Sequence, residues 1–556
     1  MQASLTVPLL FARMSIAALP ELQISKHSST GAMAGTARHL LKRNGTVETN
    51  VAEVLTDSSG GGYFMDSKTG QVVSHRIVLT LPNAVTVGTP PQSQEILLDT
   101  ASSDTYFMTS SACQTLSSTS NPCRGGSFSP RDSSGYTIIE PSPGFNTSFG
   151  DGSTAVGPFA RDTIDIGGLV IDNVEFGVVE EASTTTGFTT GQLGLGYSSN
   201  EATTQQYPNL PEVLVDSGAI NSRLYSIYLN EFSASGSVLF GGIDSSKYSG
   251  ELVSLDLIPQ PGTTEISQFI TTVTALAVSL GSSGPPETIL SGGLPLNLDS
   301  QRNDSALPVL LCVGCGSWQV PQDYYNLLIN SSFTFVDPSG TCSCNHRNDD
   351  HMLQIVFGAK TVITVPARDL IVPYYSVTTG APVTYTDGSD ACAFMITPGS
   401  AQYGFYTIGE SILRSMYIVF DLDNAQVSIA QAVINSTAPS DVHTVAAGPS
   451  GVAEAASRVQ PATANAYSIA SAASVDVSFS TSAASTTASV SASTASAGTL
   501  SATNGVRTTG TSSAASTPSP SKGAGVRTVL RAEGRIYLWM SIIVTFTMAF
   551  ATGLIW

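Results

Sequence analysis

Short apolar runs separated by turn residues fill the middle of the chain. Residues 77–81 and 95–98 are two such runs, and residues 87–92 between them have the composition of a turn. Later runs over residues 307–311 and 393–396 have the same strand-like character. Because each run is short and ends at turn residues, the pattern predicts many short strands and a mainly β fold.

Composition supports this prediction and narrows the range of functions. The chain has 50 Gly and 29 Pro among 556 residues, and its formal net charge is −19 with only 12% charged residues. No basic face is available to neutralise a phosphate backbone, so the sequence excludes nucleic acid as a partner. Neither a Gly-Lys-Ser/Thr phosphate loop nor a Gly-x-Ser-x-Gly elbow occurs, so nucleotide binding and serine hydrolysis have no support.

Seven cysteines and five Asn-x-Ser/Thr sequons indicate an oxidising secretory compartment. The odd cysteine count leaves one thiol unpaired. The predicted glycosylation sites are Asn44, Asn146, Asn303, Asn330 and Asn435. Zinc is an alternative reading of Cys312, Cys315, Cys342 and Cys344, but their spacing and the compartment favour disulfides, so no metal site is predicted.

Residues 1–43 differ from the globular middle. An apolar stretch and the Lys42–Arg43 pair indicate a signal peptide and a propeptide released at a dibasic site, with an ordinary solvated basic pair as the alternative. The globular composition that follows fits two lobes of similar length. We place these lobes at residues 44–245 and 246–437.

The C-terminal part has two compositions. Residues 438–522 are rich in Ser, Thr and Ala, which predicts a disordered, O-glycosylated stalk. Residues 536–556 are 21 residues without a charge, which is long enough to span a bilayer as a helix. Arginines precede this stretch and nothing basic follows it, so a permanent span would hold the folded body on the cytoplasmic side. That orientation conflicts with the sequons.

A glycosylphosphatidylinositol (GPI) signal over residues 523–556 removes the conflict. Gly523 begins a run of three small residues that suits lipid attachment, and the hydrophobic tail would be cleaved off. The expectation is a protein of the secretory pathway that is held by lipid at the plasma membrane or in the cell wall. A single-pass membrane protein is the alternative.

One apolar run delivers a carboxylate into a hydroxyl-rich loop. The strand over residues 95–98 ends at Asp99, and Thr100, Ser102 and Ser103 follow it. A buried carboxylate needs hydroxyl and backbone donors to stay ionised, which is what such a loop supplies. An aspartate that simply opens a turn at a strand end is the alternative.

Several further motifs follow in order along the chain. They occupy residues 88–92, 99–104, 149–153, 191–197, 239–244, 408–415 and 419–421. Over most of residues 75–432 these motifs resemble the pepsin family of aspartic proteases, particularly its fungal yapsin-like and candidapepsin-like surface members. The resemblance implies a mainly β, two-lobed pepsin-like fold with a cleft between the lobes. It also implies that the protein is a monomer, that the cleft binds a polypeptide as substrate or ligand, and that no cofactor is needed.

The resemblance also implies a site built from one loop of each lobe. The chemistry of the family needs two carboxyl groups so close that they share one proton. Asp99 is the first, with Ser102 as its supporting hydroxyl. In the second lobe the apolar run over residues 307–311 and the trailing Pro321 place Cys312 where the second aspartate should stand. Asp299 is the alternative for the second aspartate, but it fits less well, because position 301 lacks the glycine of the family pattern.

Other departures surround the same centre. Ala101 replaces the loop glycine, Val313 replaces a hydroxyl residue, Phe149 replaces the flap tyrosine, and Tyr106 stands where the family has tryptophan. The expected active-site loops and flap comprise Asp99, Thr100, Ala101, Ser102, Tyr106, Phe149, Gly150, Asp151, Gly152, Cys312, Val313 and Gly314.

The resemblance implies two disulfides as well. Cys113 would pair with Cys123 after the first active-site loop, and Cys392 would pair with Cys344 in the second lobe, with Cys342 as the alternative partner. A redox pair at Cys312 and Cys315 is disfavoured, because this motif follows a strand and does not open a helix, where a thiol pKa would be depressed. His346 and His351 are interpreted as solvated loop residues.

Two functions follow from this picture. A neutral thiol at Cys312 cannot share an acidic proton with Asp99, which favours a catalytically impaired cell-surface protein with an aspartic-protease fold. The alternative is an active aspartic-type endopeptidase that hydrolyses proteins at acidic pH.

Overall fold

The protein is described here from a computed structural model that covers residues 85–456, apart from short gaps, together with several strand segments beyond that range. The gaps are 117–122, 124, 151, 167–168, 185–188, 204, 232–235, 261, 281–286, 291–305, 359–360, 377–381 and 402. The segments beyond the range are Val47–Val54, Tyr63–Met65, Val72–Val73, Val78–Thr80, Val459–Thr463 and Leu500–Ser501. All described residues belong to one compact unit, Ala34–Trp556.

Strands make up most of the regular structure of the described residues. In the first half they are β1 (Val47–Val54), β2 (Tyr63–Met65), β3 (Val72–Val73), β4 (Val78–Thr80), β5 (Val85–Val87), β6 (Gln92–Gln94), β7 (Ile96–Asp99), β8 (Tyr106–Met108), β9 (Thr137–Ser148), β10 (Thr154–Ile166), β11 (Leu169–Val179), β12 (Glu181–Ser183), β13 (Gly191–Gly194), β14 (Leu224–Tyr228), β15 (Gly236–Phe240), β16 (Gly242–Asp244) and β17 (Tyr248–Asp256).

In the second half they are β18 (Ile270–Leu280), β19 (Glu287–Leu290), β20 (Leu307–Leu311), β21 (Trp318–Val320), β22 (Thr341–Ser343), β23 (His351–Phe357), β24 (Thr361–Pro366), β25 (Ile371–Ser376), β26 (Thr384–Tyr385), β27 (Ala391–Phe394), β28 (Ile396–Pro398), β29 (Tyr406–Ile408), β30 (Met416–Asp421), β31 (Gln426–Ala432), β32 (Val442–Thr444), β33 (Val459–Thr463) and β34 (Leu500–Ser501). The prediction of a mainly β fold is confirmed.

Helices are short. They are α1 (Ser110–Thr115), α2 (Leu210–Asp216), α3 (Gln322–Leu327), α4 (Ala367–Leu370), α5 (Glu410–Leu413) and α6 (Gly451–Ala455). Single 3₁₀ turns occur at Pro130–Asp132, Ser198–Asn200, Ser245–Lys247 and Cys344–Asn348, and a π turn at Leu328–Ser332. The Asn209–Glu212 capping box explains why α2 begins where it does, since each residue satisfies a backbone N–H of the other.

Three groups of strands position the site. The first lobe is built on β5–β13, in which β7 runs parallel to β13 and β10 pairs with both β9 and β11. The second lobe is built on a six-stranded sheet that contains β18, β20, β23, β24 and β29. A third group joins the two halves of the chain: β14 pairs with β30 and β17 pairs with β31, so strands from both halves share one sheet.

The two strands that lead to the site are buried on both faces. Ile96, Leu97 and Leu98 of β7 have no exposed surface, and the side chains of Leu307–Leu311 in β20 are all buried as well. A continuous apolar run is the pattern of a parallel strand covered on both sides. Such burial holds the residue at each strand end rigidly in place.

The folded body extends beyond the predicted start of the stalk at residue 438. Strand β32 pairs with β16, and β33 pairs parallel with β17. Val445 is fully buried and packs with Val452 of α6 in a core cluster. Apolar residues therefore continue past residue 437 at positions that reach the core, and the boundary of the body moves to about α6.

The predicted presequence, most of the stalk and the GPI signal lie outside the described residues. Among the residues that are described, no helix combines the length and apolar character needed to cross a bilayer. The apolar stretch 536–556 is not part of the described structure.

Candidate active site

Two strand ends with equivalent pairing create the site. In the first lobe Leu98 lies opposite Leu193 and Asp99 opposite Gly194 on parallel strands β7 and β13. In the second lobe Leu311 lies opposite Ile408 on parallel strands β20 and β29. Cys312, the next residue, therefore occupies the position in the second lobe that Asp99 occupies in the first.

Asp99 is buried and held by donors from its own loop. Its Oδ1 accepts a hydrogen bond from the Ala101 N–H at 2.8 Å, and its Oδ2 accepts one from Ser102 Oγ at 2.9 Å. The Ser102 hydroxyl accepts in turn from the side-chain amide of Gln192 on β13. This chain of donors fixes the plane of the carboxyl group. It also supplies the hydrogen bonds that a residue only 7% exposed needs when its side chain is an acid.

Cys312 faces Asp99 but is not a thiol. Its Sγ lies 3.8 Å from Asp99 Oδ1 and is bonded to the Sγ of Cys315. A disulfide sulfur carries no proton, so the 3.8 Å approach is a contact and not a hydrogen bond. The expectation of a neutral thiol at this position is therefore corrected: the three-residue spacing allows the two cysteines to bond within one tight turn, in which Cys315 N–H donates to Cys312 O at 3.3 Å.

Thr100 ties the two loops together. Its Oγ1 donates to the Leu311 carbonyl at 2.7 Å and accepts from the Val313 N–H at 3.0 Å. Both bonds are buried and cross from the first lobe to the second. Val313 has no hydroxyl with which to make the equivalent pair of bonds in the other direction, so Thr100 makes both of these hydrogen bonds between the loops.

The two loops differ in how closely they approach Asp99. A Cβ added at Gly314 would lie 2.9 Å from both Cγ and Oδ1 of Asp99, so the glycine is required by this contact. Ala101 stands on the other loop, where its methyl group packs against an apolar cluster of Ile258, Ile270, Leu310 and Phe405. The alanine is thus accommodated by second-lobe side chains.

The predicted flap is a hairpin between β9 and β10. Phe149 N–H donates to the Ser153 carbonyl, and Gly152 takes a φ of +83°, which favours glycine. Among the described residues other than its chain neighbours, none has an atom within 4 Å of a Cβ added at Gly150 or Gly152. The Phe149 ring is 6.2 Å from that of Tyr106, whose hydroxyl contacts Gln192 Oε1 at 3.4 Å. Asp151 lies outside the described residues, as does Asp299.

A pair of buried acids lies behind the first loop, and the sequence analysis did not identify this pair. Asp104 accepts from Tyr207 Oη at 2.8 Å and from Ala202 N–H at 2.8 Å, while Glu201 Oε2 accepts from Tyr207 N–H at 2.9 Å. Burial raises the pKa of Asp104 to about 6 and that of Glu201 to about 10. The only sequence signal for this pair was an acidic residue in each of two segments that otherwise carry mostly apolar or hydroxyl side chains.

The remaining cysteines are paired as the resemblance implies. Disulfides join Cys113 to Cys123 and Cys344 to Cys392, and the buried thiol of Cys342 is free although it lies directly opposite Cys392 in the β22–β27 register. With three disulfides formed, no set of four thiolates remains for zinc. The described residues contain no group of His, Cys, Asp and Glu suited to a metal ion.

Other predicted positions are also located. Asn146, Asn330 and Asn435 are exposed, whereas Asn44 and Asn303 lie outside the described residues. The interpretation of His346 as a solvated loop residue is corrected, because its ring stacks on Phe335 at 3.9 Å and its Nδ1 lies 2.7 Å from Asp349 Oδ2. Loop polarity concealed this aromatic partner.

The sequence model described as "Eukaryotic aspartyl protease" matches residues 82–432. The chain is 33% identical over 363 residues to "Probable aspartic-type endopeptidase OPSB" of Arthroderma benhamiae, covering 64% of this chain and 68% of that protein. It is 33% identical over 356 residues to "Acid protease" of Saccharomycopsis fibuligera, covering 63% of this chain and 80% of that protein.

The chain is also similar to one further curated relative and to one solved structure. "Secreted aspartic protease 8" of Candida albicans is 31% identical over 366 residues, covering 65% of this chain and 77% of that protein. The solved structure of the aspartic proteinase from Irpex lacteus matches 66% of this chain and 96% of its own, with 19% identity and a TM-score of 0.47. From the family match and these relatives, the chain belongs to the eukaryotic aspartyl protease family, with its two-lobed pepsin-like fold.

Proposed function

We propose that this protein is a cell-surface member of the family that binds polypeptides in its cleft without hydrolysing them at a family-like rate. A single observation carries the proposal: the Asp99 carboxyl group faces the Cys312–Cys315 disulfide at 3.8 Å where a second carboxyl group is needed. Two carboxyl groups that share a proton can activate water and protonate the substrate carbonyl. A disulfide accepts and donates no proton, so one of these two roles has no residue.

The surrounding contacts support loss of hydrolysis and not loss of the fold. Asp99 keeps its donors from Ala101 and Ser102, and Thr100 still joins the two loops. General acid and general base roles each contribute about 10² to 10⁴ in rate. Removal of one carboxyl group therefore lowers turnover by orders of magnitude while the binding cleft persists.

An active acid endopeptidase is the second candidate. Its support is the intact shell around Asp99 and the relatives whose names describe endopeptidases. The two candidates differ in what Asp99 does. In an active enzyme Asp99 is essential for turnover, whereas in a binding protein its carboxyl group has no turnover to support.

Purified full-length protein incubated with a diverse peptide pool at pH 3–6 distinguishes the candidates. We expect no cleavage by the wild type above the level of the Asp99→Asn control. A reconstructed variant with Cys312→Asp, Val313→Thr and Cys315→Thr restores the second carboxyl group and removes the leftover thiol, so it should gain cleavage and bind a transition-state-analogue inhibitor. Wild-type cleavage that Asp99→Asn abolishes would establish the protease instead.

We also propose that the protein enters the secretory pathway and is held at the plasma membrane or cell wall by a GPI anchor. The sequons, the disulfides and the name of the Candida relative support secretion, and Gly523 with its small neighbours supports lipid attachment. Phosphatidylinositol-specific phospholipase should release the protein from cell membranes. Retention after that treatment, and unchanged anchoring when Gly523, Ala524 and Gly525 are replaced by bulky residues, would indicate a transmembrane span.

A further inference from the structure

We propose that the Cys312–Cys315 disulfide is an exchange site that oxidises cysteine thiols of polypeptides held in the cleft. The inference rests on the polypeptide-binding cleft of the proposed function and adds a chemical activity to it. The substrate class is a peptide with two cysteines near each other, and the product is the peptide disulfide together with the reduced Cys312–Cys315 pair.

The two cysteine residues of this disulfide differ in exposure. Cys312 is 1% exposed, whereas Cys315 is partly exposed. Exchange begins when a thiolate attacks one sulfur of a disulfide and expels the other. Cys315 is therefore the sulfur that is attacked, and Cys312, which faces Asp99, is the sulfur that leaves.

The loop is held by bonds that do not depend on the disulfide. The Cys312 N–H donates to the Ile408 carbonyl at 2.9 Å, and the Glu410 N–H donates to the Cys315 carbonyl at 2.7 Å. Thr100 holds Leu311 and Val313 from the opposite loop. The backbone can thus keep both cysteines in place when they are reduced, so that the disulfide opens and closes without refolding.

This disulfide also stabilises the fold least among the three described. Its cysteines are separated by 3 residues, against 10 for Cys113–Cys123 and 48 for Cys344–Cys392. In the chain-entropy account a cross-link restricts the unfolded chain more as its loop lengthens. A structural role is therefore weaker here than for the other two pairs, although each of the three pairs has one buried and one partly exposed cysteine residue.

The peptide is the only reductant in this exchange, which takes two steps. A peptide thiolate attacks Cys315 Sγ, a new S–S bond joins peptide and Cys315, and the electron pair of the broken bond goes to Cys312 Sγ. Cys312 Sγ, which lies 3.8 Å from Asp99 Oδ1 in the disulfide, leaves as a thiolate and takes a proton from solvent. A second peptide thiolate attacks the peptide sulfur of the mixed disulfide, which closes the peptide disulfide and releases Cys315 to take a proton from water.

Overall two peptide thiols are oxidised and two cysteines of the protein are reduced, and the two thiol protons reach the protein through solvent. Cys342, the remaining thiol, does not compete, because it is buried and burial raises its pKa to about 12. Thiol labelling of the native protein after exchange therefore reports on Cys312 and Cys315.

The test uses the full-length oxidised protein, a reduced Cys-x-x-Cys peptide, and the same peptide with both cysteines replaced by serine. We expect one peptide disulfide per protein chain, with labelling of Cys312 and Cys315 at least tenfold faster than with glutathione at equal thiol concentration. Mass mapping should show Cys113–Cys123 and Cys344–Cys392 still bonded. Survival of Cys312–Cys315, reduction of all three disulfides together, or equal rates with glutathione would each overturn the inference.

Fluorescence anisotropy of the serine peptide separates this inference from the proposed function. Binding without any exchange by the cysteine peptide contradicts only the exchange site, whereas absence of binding contradicts the proposed function itself. A trapping pair adds a second measurement with the oxidised peptide. Cys312→Ser should accumulate a mixed disulfide at Cys315, and Cys315→Ser should accumulate at least tenfold less at buried Cys312; equal trapping contradicts the assigned order of attack.

Discussion

Thr100 Oγ1 accepts a hydrogen bond from the Val313 N–H at 3.0 Å while it donates to the Leu311 carbonyl at 2.7 Å. These two bonds connect the loop carrying Asp99 to the loop carrying Cys312. Since Thr100, Leu311 and Val313 are all buried, water cannot replace either bond. The alignment of the two loops therefore depends in part on this hydroxyl group.

Replacement of Thr100 by valine tests this dependence. Thr100→Val preserves shape but leaves the Leu311 carbonyl and the Val313 N–H without this partner. Each unsatisfied buried group costs about 1–3 kcal/mol, so we expect a loss of about 3 kcal/mol in the free energy of unfolding. Urea denaturation measures it. Thr137→Val, at an exposed position on β9, is the control and should change stability by less than about 0.5 kcal/mol; an equal effect of both changes would contradict the role of Thr100.

Restoring the missing hydroxyl on the other loop gives a second prediction. Val313 stands at the position equivalent to Thr100, so the hydroxyl of Val313→Thr should find the backbone groups that Thr100 finds across the loops. We expect stability to stay within about 0.5 kcal/mol of the wild type. Burying a hydroxyl without a partner costs about 1–3 kcal/mol, which Val309→Thr in the middle of β20 should show. Equal losses in the two variants would mean that the loops lack the expected symmetry.

The free cysteine supplies a third prediction. Burial raises the pKa of the Cys342 thiol to about 12, and the thiolate is the reactive form. We expect no reaction of Cys342 with iodoacetamide at pH 8 in the native protein and full reaction after denaturation. Cys342→Ala supplies the control for peptide mapping. Rapid labelling of the native thiol would show that β22 opens readily.

Linear motifs made the site predictable where its chemistry lies next to a strand. Asp99 and Cys312 each end an apolar run, and the family resemblance places them at equivalent strand ends; in the structure β7 and β20 each pair in parallel with a neighbouring strand up to these ends. The bond between Cys312 and Cys315 could not be read from the sequence. A three-residue spacing suits a thiol pair, a metal pair or a disulfide, and only the turn geometry decides among them.

Contacts between distant parts of the chain were likewise hidden. Tyr207 reaches Asp104 over 103 residues of sequence, and nothing local marks either residue as the other's partner. The start of the stalk was misplaced for a related reason. Ala- and Ser-rich sequence after residue 437 suggested disorder, yet a few apolar residues there, such as Val445, are buried in a core cluster.

The buried acids behind the first loop make stability depend on pH. Burial raises the pKa of Glu201 from 4.5 to about 10, and repulsion from Asp104 adds to this shift. Burial likewise raises the pKa of Asp104 from 3.8 to about 6. A raised pKa in the folded state means that the folded protein holds the proton more tightly than the unfolded chain. This contribution is complete below the unfolded pKa and disappears as pH rises through the folded pKa.

The protein should therefore be most stable in acid and lose stability as pH rises, from Asp104 between about pH 4 and 6 and from Glu201 between about pH 4.5 and 10. One such group contributes a slope of up to about 1.4 kcal/mol per pH unit. Glu201→Gln mimics the neutral acid and keeps an acceptor for the Tyr207 N–H, so urea denaturation between pH 6 and 9 should give a flatter decline than the wild type. Glu181→Gln, exposed on β12, should keep the wild-type slope. A wild-type slope in Glu201→Gln would show that this carboxyl group is not the source, because no other change in charge separates the two proteins.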